Sequence, residues 1–420
     1  MSILSIKGGR HLAGSVSVQG AKNSALPILA ACILARGKSF IHNCPDLRDV
    51  NAASLILKHL GCSVVRGTEG VIVDSSGITG FTIPDELMRE MRSSVIFLGA
   101  ILGRTGEAVL SMPGGCELGP RPIDLHLSSL RALGAEITEN GGNIICKANH
   151  LKGAQIELPI PSVGATENAI LAAVTADGLT TIANAAREPE ITDLALYLSR
   201  LGAKISGAGT SVVKIEGATI GGETEHTVMP DRIAAATYLA AAASAGGELE
   251  LLNVIPRHIS TITGVLSEMG CTVRPNESSL YLMVPEHLRS ARPVVTRPYP
   301  GFPTDAQPPV MAASLRAAGT TVFVENIFEN RYRHVGELLR MGADIKTEGR
   351  VAIVSGVDRL HGASVKATDL RGGAALVVAA LGAEGVSDIS GLSHLDRGYD
   401  GLERDFLRLG ADIRRHNSQK

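Results

Sequence analysis

A short phrase, in which Leu-Gly or Met-Gly is followed by a small residue, recurs six times along the 420-residue chain. Neighbouring copies lie 68 to 73 residues apart, and their glycines are Gly61, Gly134, Gly202, Gly270, Gly342 and Gly410. Each phrase closes an amphipathic helical pattern and precedes an alternating stretch that is typical of a strand. We therefore predict that each glycine follows the end of a helix, where a positive φ angle costs glycine little.

A second helix recurs with the same period and is rich in small residues. Its six predicted copies are Asn23–Leu34, Arg92–Leu102, Ala165–Ala176, Asp231–Ala245, Asp305–Ala318 and Leu370–Leu381. Alternating stretches between and after the helices, bounded by Pro and Gly turns, predict strands that pair as hairpins. Each repeat is thus expected to hold two helices and about four strands, which excludes an all-helical solenoid.

The length and the repeat together predict two domains of three units each. A single core rarely supports more than roughly 250–300 residues. The sixth copy is truncated, because only ten residues follow Gly410, and the stretch Ile6–Val16 has the rhythm of the segment after Val354. We expect residues 1–21 to complete a C-terminal domain of residues 230–420 as a hairpin, and residues 22–229 to form the other domain, with a cleft between them. A single open array of six units is the alternative.

Composition excludes several classes of protein. A net charge of −2 and an aromatic content of 3%, with no Trp, argue against nucleic-acid binding and against attraction to an anionic membrane. The start of the chain lacks a signal-peptide pattern, and the Ala-rich runs are too short to span a bilayer. Six cysteines without CxxC or metal-ligand spacing indicate reduced thiols. These features predict a cytoplasmic protein.

Basic residues recur at two positions of the repeat. Thirteen residues before the repeat glycine lie Arg48, Arg121, Arg257 and Arg397, and Arg187 and Arg331 are displaced by two residues. The small-residue helices begin at Lys22, Arg92, Arg232 and Arg371, with Asp305 at the same place in the fifth copy. A cation is unfavourable at a helix N-terminus, whereas an anion binds there readily. Although a single arginine is more often a solvated surface charge, the recurrence predicts anionic ligands. Arg48, Arg187, Arg232 and Arg257 are assigned mainly to structure.

Two residues suggest chemistry beyond binding. Cys116 lies in a Gly/Pro-rich stretch near Arg121, an electropositive setting in which a thiol becomes reactive, although an inert loop thiol is the alternative. Asp305 follows Phe302-Pro-Thr and could act as a general base towards a substrate hydroxyl. It could equally be an ordinary helix start. The residues alone leave both alternatives open.

Seven motifs resemble those of the UDP-N-acetylglucosamine enolpyruvyl transferases. In chain order they are Gln19–Ala25, Pro113–His126, Pro161–Asn168, Asn184–Ile191, Phe302–Asp305, Phe328–Arg331 and His394–Tyr399. The cysteine loop and the Phe-Pro-Thr-Asp motif are specific to this branch of the enolpyruvyl transferases. The resemblance implies an α/β fold of two inside-out α/β barrel domains. Each would have three repeated units, with helices inside and four-stranded sheets outside, and the domains would close on the substrates.

The resemblance also implies an activity. The enolpyruvyl group of phosphoenolpyruvate is transferred to the 3-hydroxyl of UDP-N-acetylglucosamine by addition and elimination, and phosphate is released. This is the first committed step of peptidoglycan synthesis and the target of fosfomycin. A cytoplasmic monomer without metal or cofactor is expected, with these two small molecules as its partners. The alternatives are the enolpyruvyl transferase that acts on shikimate 3-phosphate and a catalytically silent regulator that binds a nucleotide sugar.

Catalytic roles follow from the same resemblance. Asp305 matches the base that takes the proton of the sugar hydroxyl. Cys116, in a loop of about residues 112–122, matches the thiol that assists proton transfer to the phosphoenolpyruvate methylene. Lys22, Arg121 and Arg397 match ligands of the phosphate. Lys22 and Arg397 are counted among the catalytic residues.

The remaining matches concern substrate binding. They are Arg331 and Arg371 as carboxylate clamps, Asn23 and Arg92 facing the reacting groups and the sugar, Pro122, Asp124 and Leu125 for uridine, Ser162, Val163 and Gly164 for the diphosphate, and Ile327 for the sugar. The chain departs from some relatives at two places. Ile160 stands where they have a Lys near the nucleotide phosphates, and an aliphatic residue, Ile96, stands where they have a Trp.

Overall fold

All six repeat glycines follow helix ends in a computed structural model of the chain, which describes residues 2–91, 93–111 and 123–417. Their φ angles lie between 87° and 105°. After each glycine, the next N–H donates to the carbonyl five residues before it, as from Cys62 to Leu57 at 3.0 Å and from Ala411 to Phe406 at 2.9 Å. This is the Schellman pattern of a glycine-terminated helix. The predicted role of the six glycines is confirmed.

Helices alternate with strands along the whole chain. In chain order the α-helices of the described residues are α1 Lys22–Ala31, α2 Arg48–His59, α3 Asp85–Glu90, α4 Phe97–Thr105, α5 Asp124–Ala132, α6 Val163–Ala173, α7 Pro189–Arg200, α8 Arg232–Ala245, α9 Ser260–Glu268, α10 Gln307–Ser314, α11 Val335–Arg340, α12 Leu370–Gly382 and α13 Leu402–Arg408. Within these residues, no helix is long and apolar enough to cross a membrane.

The strands are short, as expected for hairpins with tight turns. In chain order they are β1 Ser2–Lys7, β2 Leu12–Ser17, β3 Lys38–His42, β4 Ser63–Arg66, β5 Gly70–Asp74, β6 Thr82–Ile83, β7 Glu107–Ser111, β8 Glu136–Asn140, β9 Asn143–Lys147, β10 Gln155–Glu157, β11 Leu179–Ala183, β12 Lys204–Ser206, β13 Val212–Glu216, β14 Thr224–Thr227, β15 Gly247–Leu252, β16 Thr272–Pro275, β17 Ser279–Met283, β18 Val294–Val295, β19 Thr320–Val324, β20 Asp344–Glu348, β21 Val351–Ser355, β22 Ser364–Lys366, β23 Val386–Ser390 and β24 Asp412–Asn417.

The described strands form six four-stranded sheets with one shared topology. Their orders are β14-β3-β5-β4, β6-β7-β9-β8, β10-β11-β13-β12, β2-β15-β17-β16, β18-β19-β21-β20 and β22-β23-β1-β24. In each sheet the first two strands are parallel, and the other two pairs are antiparallel. A single repeated unit therefore builds the whole chain.

The N-terminal strands join two different sheets. β1 lies between β23 and β24 in the sheet of the truncated sixth copy. β2 pairs in parallel with β15, which belongs to the fourth copy. The prediction of a single hairpin is therefore wrong: β1 completes the sheet of the sixth copy, and β2 completes the sheet of the fourth copy.

The small-residue helices are buried on all sides. Every residue of α8 and α10 is buried, as are residues 165–173 of α6 and residues 371–382 of α12. Small side chains let three such helices pack together in the middle of each domain, with the sheets outside. The predicted α/β fold of two inside-out domains, each of three units, is confirmed.

The chain divides into two compact bodies with separate hydrophobic cores. One, here called the C-terminal domain, contains the described residues 2–19 and 230–417. The other, here called the central domain, contains the described residues 20–91, 93–111 and 123–229. The chain therefore passes from one body to the other after Gln19 and after Met229.

Candidate functional site

In the C-terminal domain, one carboxylate lies between two arginines. The Oδ1 atom of Asp305 is 2.6 Å from Nη2 of Arg331, and its Oδ2 atom is 3.2 Å from Nη2 of Arg371. The two arginine side chains are only 1% and 3% exposed, whereas that of Asp305 is 28% exposed. The three residues are distant in sequence, and the fold brings them into one ion-paired cluster.

Asp305 lies on a short 3₁₀ turn, Thr304–Ala306, and not in the α-helix that sequence analysis began at this residue. The helix α10 starts two residues later, at Gln307. Pro303 precedes the turn in an extended conformation, as the ring of a proline favours. The partly exposed carboxylate consequently lies just before the N-terminus of the buried helix α10.

Arg331 is fixed by the same turn that carries Asp305. Its Nε and Nη2 atoms donate to the carbonyl oxygen of Thr304 at 3.1 and 2.8 Å. Its guanidinium also lies over the ring of Phe328, 5.3 Å from the ring centroid. A guanidinium with this many partners is oriented before any ligand binds.

Arg371 is fixed at the start of α12. Asp369 caps this helix by accepting the backbone N–H groups of Arg371 and Gly372 at 3.0 and 2.9 Å. The Nη1 atom of Arg371 donates to the Tyr399 hydroxyl at 3.2 Å, and that oxygen lies 2.8 Å from Oγ1 of Thr237. Burial lowers the pKa of Arg371, but Asp305 and Tyr399 more than offset this effect, so that its pKa is raised and it stays charged.

This cluster has capacity for another anion. Two guanidinium groups face one carboxylate, and the buried Nε atom of Arg371 has no hydrogen-bond partner among the described residues. A second carboxylate or a phosphate could therefore bind with charge-assisted hydrogen bonds.

Two further predicted residues of this domain are close in sequence to residues of this cluster or to their hydrogen-bond partners: Ile327 precedes Arg331, and Arg397 precedes Tyr399. Arg397 is half-buried on a 3₁₀ turn two residues before Tyr399. Ile327 follows β19, and its side chain is 40% exposed, while its N–H donates to Oε1 of Glu325 at 2.8 Å.

In the central domain, Lys22 is the first residue of α1 and pairs with a buried carboxylate. Its Nζ atom lies 2.9 Å from Oδ2 of Asp49, whose side chain is 1% exposed. An anionic ligand was predicted beside the Lys22 ammonium, whereas Asp49 was not predicted. The only signal was that Asp49 adjoins Arg48 at the repeated basic position. Asn23, the next residue of α1, is half-buried.

The two predicted nucleotide-binding runs meet in the central domain. Asp124 and Leu125 begin α5, and Ser162 caps α6, which Val163 and Gly164 begin. The Ser162 hydroxyl accepts the N–H of Ala165 at 3.4 Å. The helices approach so closely that a Cβ atom added to Gly164 would lie 2.9 Å from Cε1 of His126.

His126 joins these helices through a hydrogen-bond network. Asn168 accepts the N–H of Gly99 through Oδ1 at 2.8 Å, so its amide nitrogen faces Nδ1 of His126 at 2.7 Å. This nitrogen also donates to the carbonyl of Val95 at 2.9 Å. Burial lowers the pKa of His126 to about 4. The neutral ring accepts at Nδ1 and therefore carries its proton on Nε2, beside Gly164. His126 was not among the residues predicted to form the site.

Four predicted site residues, Arg92, Cys116, Arg121 and Pro122, lie outside the described residues.

The four arginines assigned to structure differ in environment. On the surface, Arg48 pairs with Glu90 at 3.0 Å, whereas Arg232 is buried over the ring of Tyr299. Both Arg187 and Arg257 are exposed. Ile160, at the position of some relatives' Lys, is 61% exposed. Among the residues that the structure describes, no group of three or more His, Cys, Asp or Glu side chains could hold a metal ion.

The known proteins that resemble this chain are carboxyvinyltransferases. The family model described as EPSP synthase (3-phosphoshikimate 1-carboxyvinyltransferase) matches residues 6–406. The chain is 49% identical over 413 residues to UDP-N-acetylglucosamine 1-carboxyvinyltransferase 2 of Caldanaerobacter subterraneus subsp. tengcongensis, which covers 98% of this chain and 99% of that protein. It is 50% identical over 416 residues to UDP-N-acetylglucosamine 1-carboxyvinyltransferase 1 of Symbiobacterium thermophilum. That alignment covers 98% of this chain and 94% of that protein.

Solved structures with the same fold were also found. The enolpyruvyl transferase NikO from Streptomyces tendae superposes with a TM-score of 0.90 at 26% identity, covering 100% of this chain and 99% of that one. EPSP synthase from Acinetobacter baumannii superposes with a TM-score of 0.75 at 20% identity, covering 99% of this chain and 100% of that one. This likeness concerns the fold alone.

Proposed function

The chain belongs to the EPSP synthase family and, within it, to the UDP-N-acetylglucosamine 1-carboxyvinyltransferases, and on this basis we propose its reaction. It transfers the enolpyruvyl group of phosphoenolpyruvate to the 3-hydroxyl of UDP-N-acetylglucosamine, releases phosphate and so begins peptidoglycan synthesis. The observation that carries the proposal is the partly exposed Asp305 carboxylate between the buried Arg331 and Arg371. This cluster combines a base with cationic groups suited to a small anionic substrate.

The reaction needs one base and one acid. Asp305 takes the proton of the 3-hydroxyl as its oxygen bonds to C2 of phosphoenolpyruvate, and Cys116 supplies a proton to C3. In the tetrahedral adduct the Cys116 thiolate takes a proton back from C3, the C2–C3 double bond re-forms, and the C2–O bond to phosphate breaks with its electron pair leaving on phosphate. Lys22, Arg121 and Arg397 neutralise the phosphate while it leaves. Lys22, whose ammonium already pairs with a buried carboxylate, is well held for this role.

The carboxylate of phosphoenolpyruvate binds to Arg331 and Arg371. Both arginines are paired with Asp305 in this structure, so the substrate must share them or replace Asp305. Cations beside a carboxylate favour its charged form and weaken it as a base. Binding of phosphoenolpyruvate therefore strengthens Asp305 as a base at the moment when a base is needed.

The nucleotide sugar is held by the remaining residues of the proposed site. Uridine contacts Pro122, Asp124 and Leu125, and the diphosphate binds at the N-terminus of α6, where Ser162, Val163 and Gly164 lie. The protonated Nε2 of His126 is a further donor beside this run. Asn23, Arg92 and Ile327 contact the sugar.

Residues 1–21 with 230–420 form one functional domain, and residues 22–229 form the other, which carries the cysteine loop of residues 112–122. The passages of the chain after Gln19 and Met229 support these boundaries. The protein acts as a monomer in the cytoplasm, where its two substrates are its partners.

The proposed function is tested by supplying both candidate acceptors separately. Purified protein is incubated with phosphoenolpyruvate and either UDP-N-acetylglucosamine or shikimate 3-phosphate, while phosphate release is followed and the products are identified by mass spectrometry. We expect phosphate and an enolpyruvyl ether only with UDP-N-acetylglucosamine. Turnover restricted to shikimate 3-phosphate, or binding of the nucleotide sugar without turnover, would refute the proposal.

A further inference from the structure

A buried carboxylate, that of Glu325, adjoins the Asp305 cluster and has no role in the reaction described above. Glu325 follows β19 and is 1% exposed. Both of its oxygens lie 3.0 Å from the Thr304 hydroxyl, and Oε1 also accepts the N–H groups of Ile327 and Phe328 at 2.8 and 2.9 Å. One side chain thus connects the turn that carries Asp305 to the loop that carries Ile327.

On the turn, Thr304 is held at two points. Its hydroxyl donates to Glu325, and its carbonyl oxygen accepts two hydrogen bonds from Arg331. Arg331 in turn pairs with the side chain of Asp305. The backbone directly before Asp305 is therefore fixed by Glu325 on one side and by Arg331 on the other.

On the loop, four consecutive backbone N–H groups are satisfied within the protein. The N–H of Glu325 donates to the carbonyl of Arg350 at 2.8 Å, and that of Asn326 donates to Oγ1 of Thr296 at 2.8 Å. The next two donate to Glu325 itself, as described above. Hydrogen bonds thereby hold the backbone of the loop in place, although Ile327 remains 40% exposed. A hydrogen-bonded loop with an exposed apolar side chain is suited to contact a sugar.

A buried carboxylate is costly unless hydrogen bonds compensate for its lost hydration. Glu325 accepts hydrogen bonds from three donors: the Thr304 hydroxyl and the N–H groups of Ile327 and Phe328 in the loop. We propose that Glu325 is a positioning residue, which acts through Thr304 to hold the base Asp305 in register with the loop that contacts the acceptor sugar. This inference rests on the proposed function, and it concerns placement because Glu325 itself is enclosed.

The hydroxyl of Thr304 is the part of this connection that can be removed with little other change. Thr304→Val keeps the branched shape and removes the donor, whereas Thr304→Ser keeps the donor and removes a methyl group. In both variants the loop N–H groups can still donate to Glu325. We therefore expect Thr304→Val to lower kcat by roughly ten- to a hundredfold, the scale on which misplaced catalytic groups lose rate. Its Kd for UDP-N-acetylglucosamine should remain near that of the unchanged protein.

The experiment measures kcat by phosphate release and the Kd for the nucleotide sugar by calorimetry, at a temperature where circular dichroism shows every variant to be folded. Thr304→Ser should restore most of the rate lost in Thr304→Val. Glu325→Gln, whose amide can still bond to Thr304 and to the loop, should also be more active than Thr304→Val. These three results together support the proposal.

Three outcomes would overturn it: a native kcat in Thr304→Val, an equal loss of kcat in Thr304→Ser, or a loss of nucleotide-sugar affinity as large as the loss of kcat. The second outcome would assign the effect to packing of the methyl group, and the third to the loop alone. Absence of turnover in the unchanged protein would instead refute the proposed function. The two failures are therefore distinguishable.

Discussion

The Nη2 atom of Arg371 lies 3.2 Å from Oδ2 of Asp305, although the two residues are 66 positions apart in the sequence. Both occur at the start of a small-residue helix, in neighbouring copies of the repeat. In one copy this position is a buried cation, and in the other it is a partly exposed carboxylate. The repeat thus places two equivalent positions together, and their difference in charge makes them a pair.

Replacing Arg371 with Lys should weaken phosphoenolpyruvate binding. A lysine retains the charge and lacks the planar fork that reaches Tyr399 and Asp305 together. We expect the KM for phosphoenolpyruvate to rise by roughly ten- to a hundredfold, equivalent to about 1.4 to 3 kcal/mol of lost interaction. The exposed Arg340, which only approaches Glu337 at 3.7 Å, provides a control, since Arg340→Lys should leave this KM unchanged. Equal KM values in the two variants would contradict a clamp at Arg371.

Replacing Asp305 with Asn should separate catalysis from binding. The amide cannot take a proton, so kcat should fall by about 10²- to 10⁴-fold, as is usual when general-base assistance is lost. The charge that competes for Arg331 and Arg371 is also removed, so the Kd for phosphoenolpyruvate should fall or stay constant. Single-turnover rates and direct binding measurements would distinguish these effects. A variant with the kcat of the unchanged protein would exclude Asp305 as the base.

The features that local chemistry determines are predictable from the sequence. Gly61 and its five counterparts are required by the positive φ angle after a helix, and this requirement is visible in six short phrases. Burial of the small-residue helices follows from their composition, as in α8. Both inferences needed only residues that are close together in the chain.

Residues that act through distant partners were not found in this way. Asp49 beside Lys22, His126 beside Gly164 and Glu325 beside Thr304 are recognisable only when the fold brings the partners together. The same reason explains the N-terminal strands, because nothing local to β1 or β2 specifies which of six similar sheets has room for it.

Adding a methyl group at Gly164 should impair nucleotide binding. The new Cβ of Gly164→Ala would lie 2.9 Å from Cε1 of His126, so either the ring or the start of α6 must move. We expect weaker binding of UDP-N-acetylglucosamine, measured by calorimetry, with little change in binding of phosphoenolpyruvate. Gly264, inside α9, is a matched control because a Cβ there meets no atom within 4 Å. Gly264→Ala should bind normally, and equal affinity in both variants would argue against a nucleotide site at this helix start.

The enclosed His126 should make the protein less stable in mild acid. Burial lowers its pKa from 6.5 to about 4 in the folded state, so between these values the unfolded chain binds more protons. The free energy of unfolding therefore falls as the pH drops through this window, by up to about 3 kcal/mol for this one group. Urea unfolding at several pH values should show that the free energy of unfolding depends less steeply on pH in His126→Asn. This variant keeps an acceptor near Asn168. An identical dependence in both proteins would show that His126 does not contribute.

Fosfomycin should alkylate Cys116 selectively. The five cysteines of the described residues, Cys32, Cys44, Cys62, Cys146 and Cys271, are all buried. Burial raises their pKa values to between about 11 and 12, so they are protonated and unreactive at neutral pH. Intact-protein mass spectrometry should show a single adduct, which peptide mapping assigns to Cys116 and which is absent from Cys116→Ser. The control Cys271→Ser should still form the adduct, because Cys271 is enclosed. A modified Cys116→Ser variant, or no adduct in the presence of UDP-N-acetylglucosamine, would contradict the assignment of Cys116 as the reactive thiol.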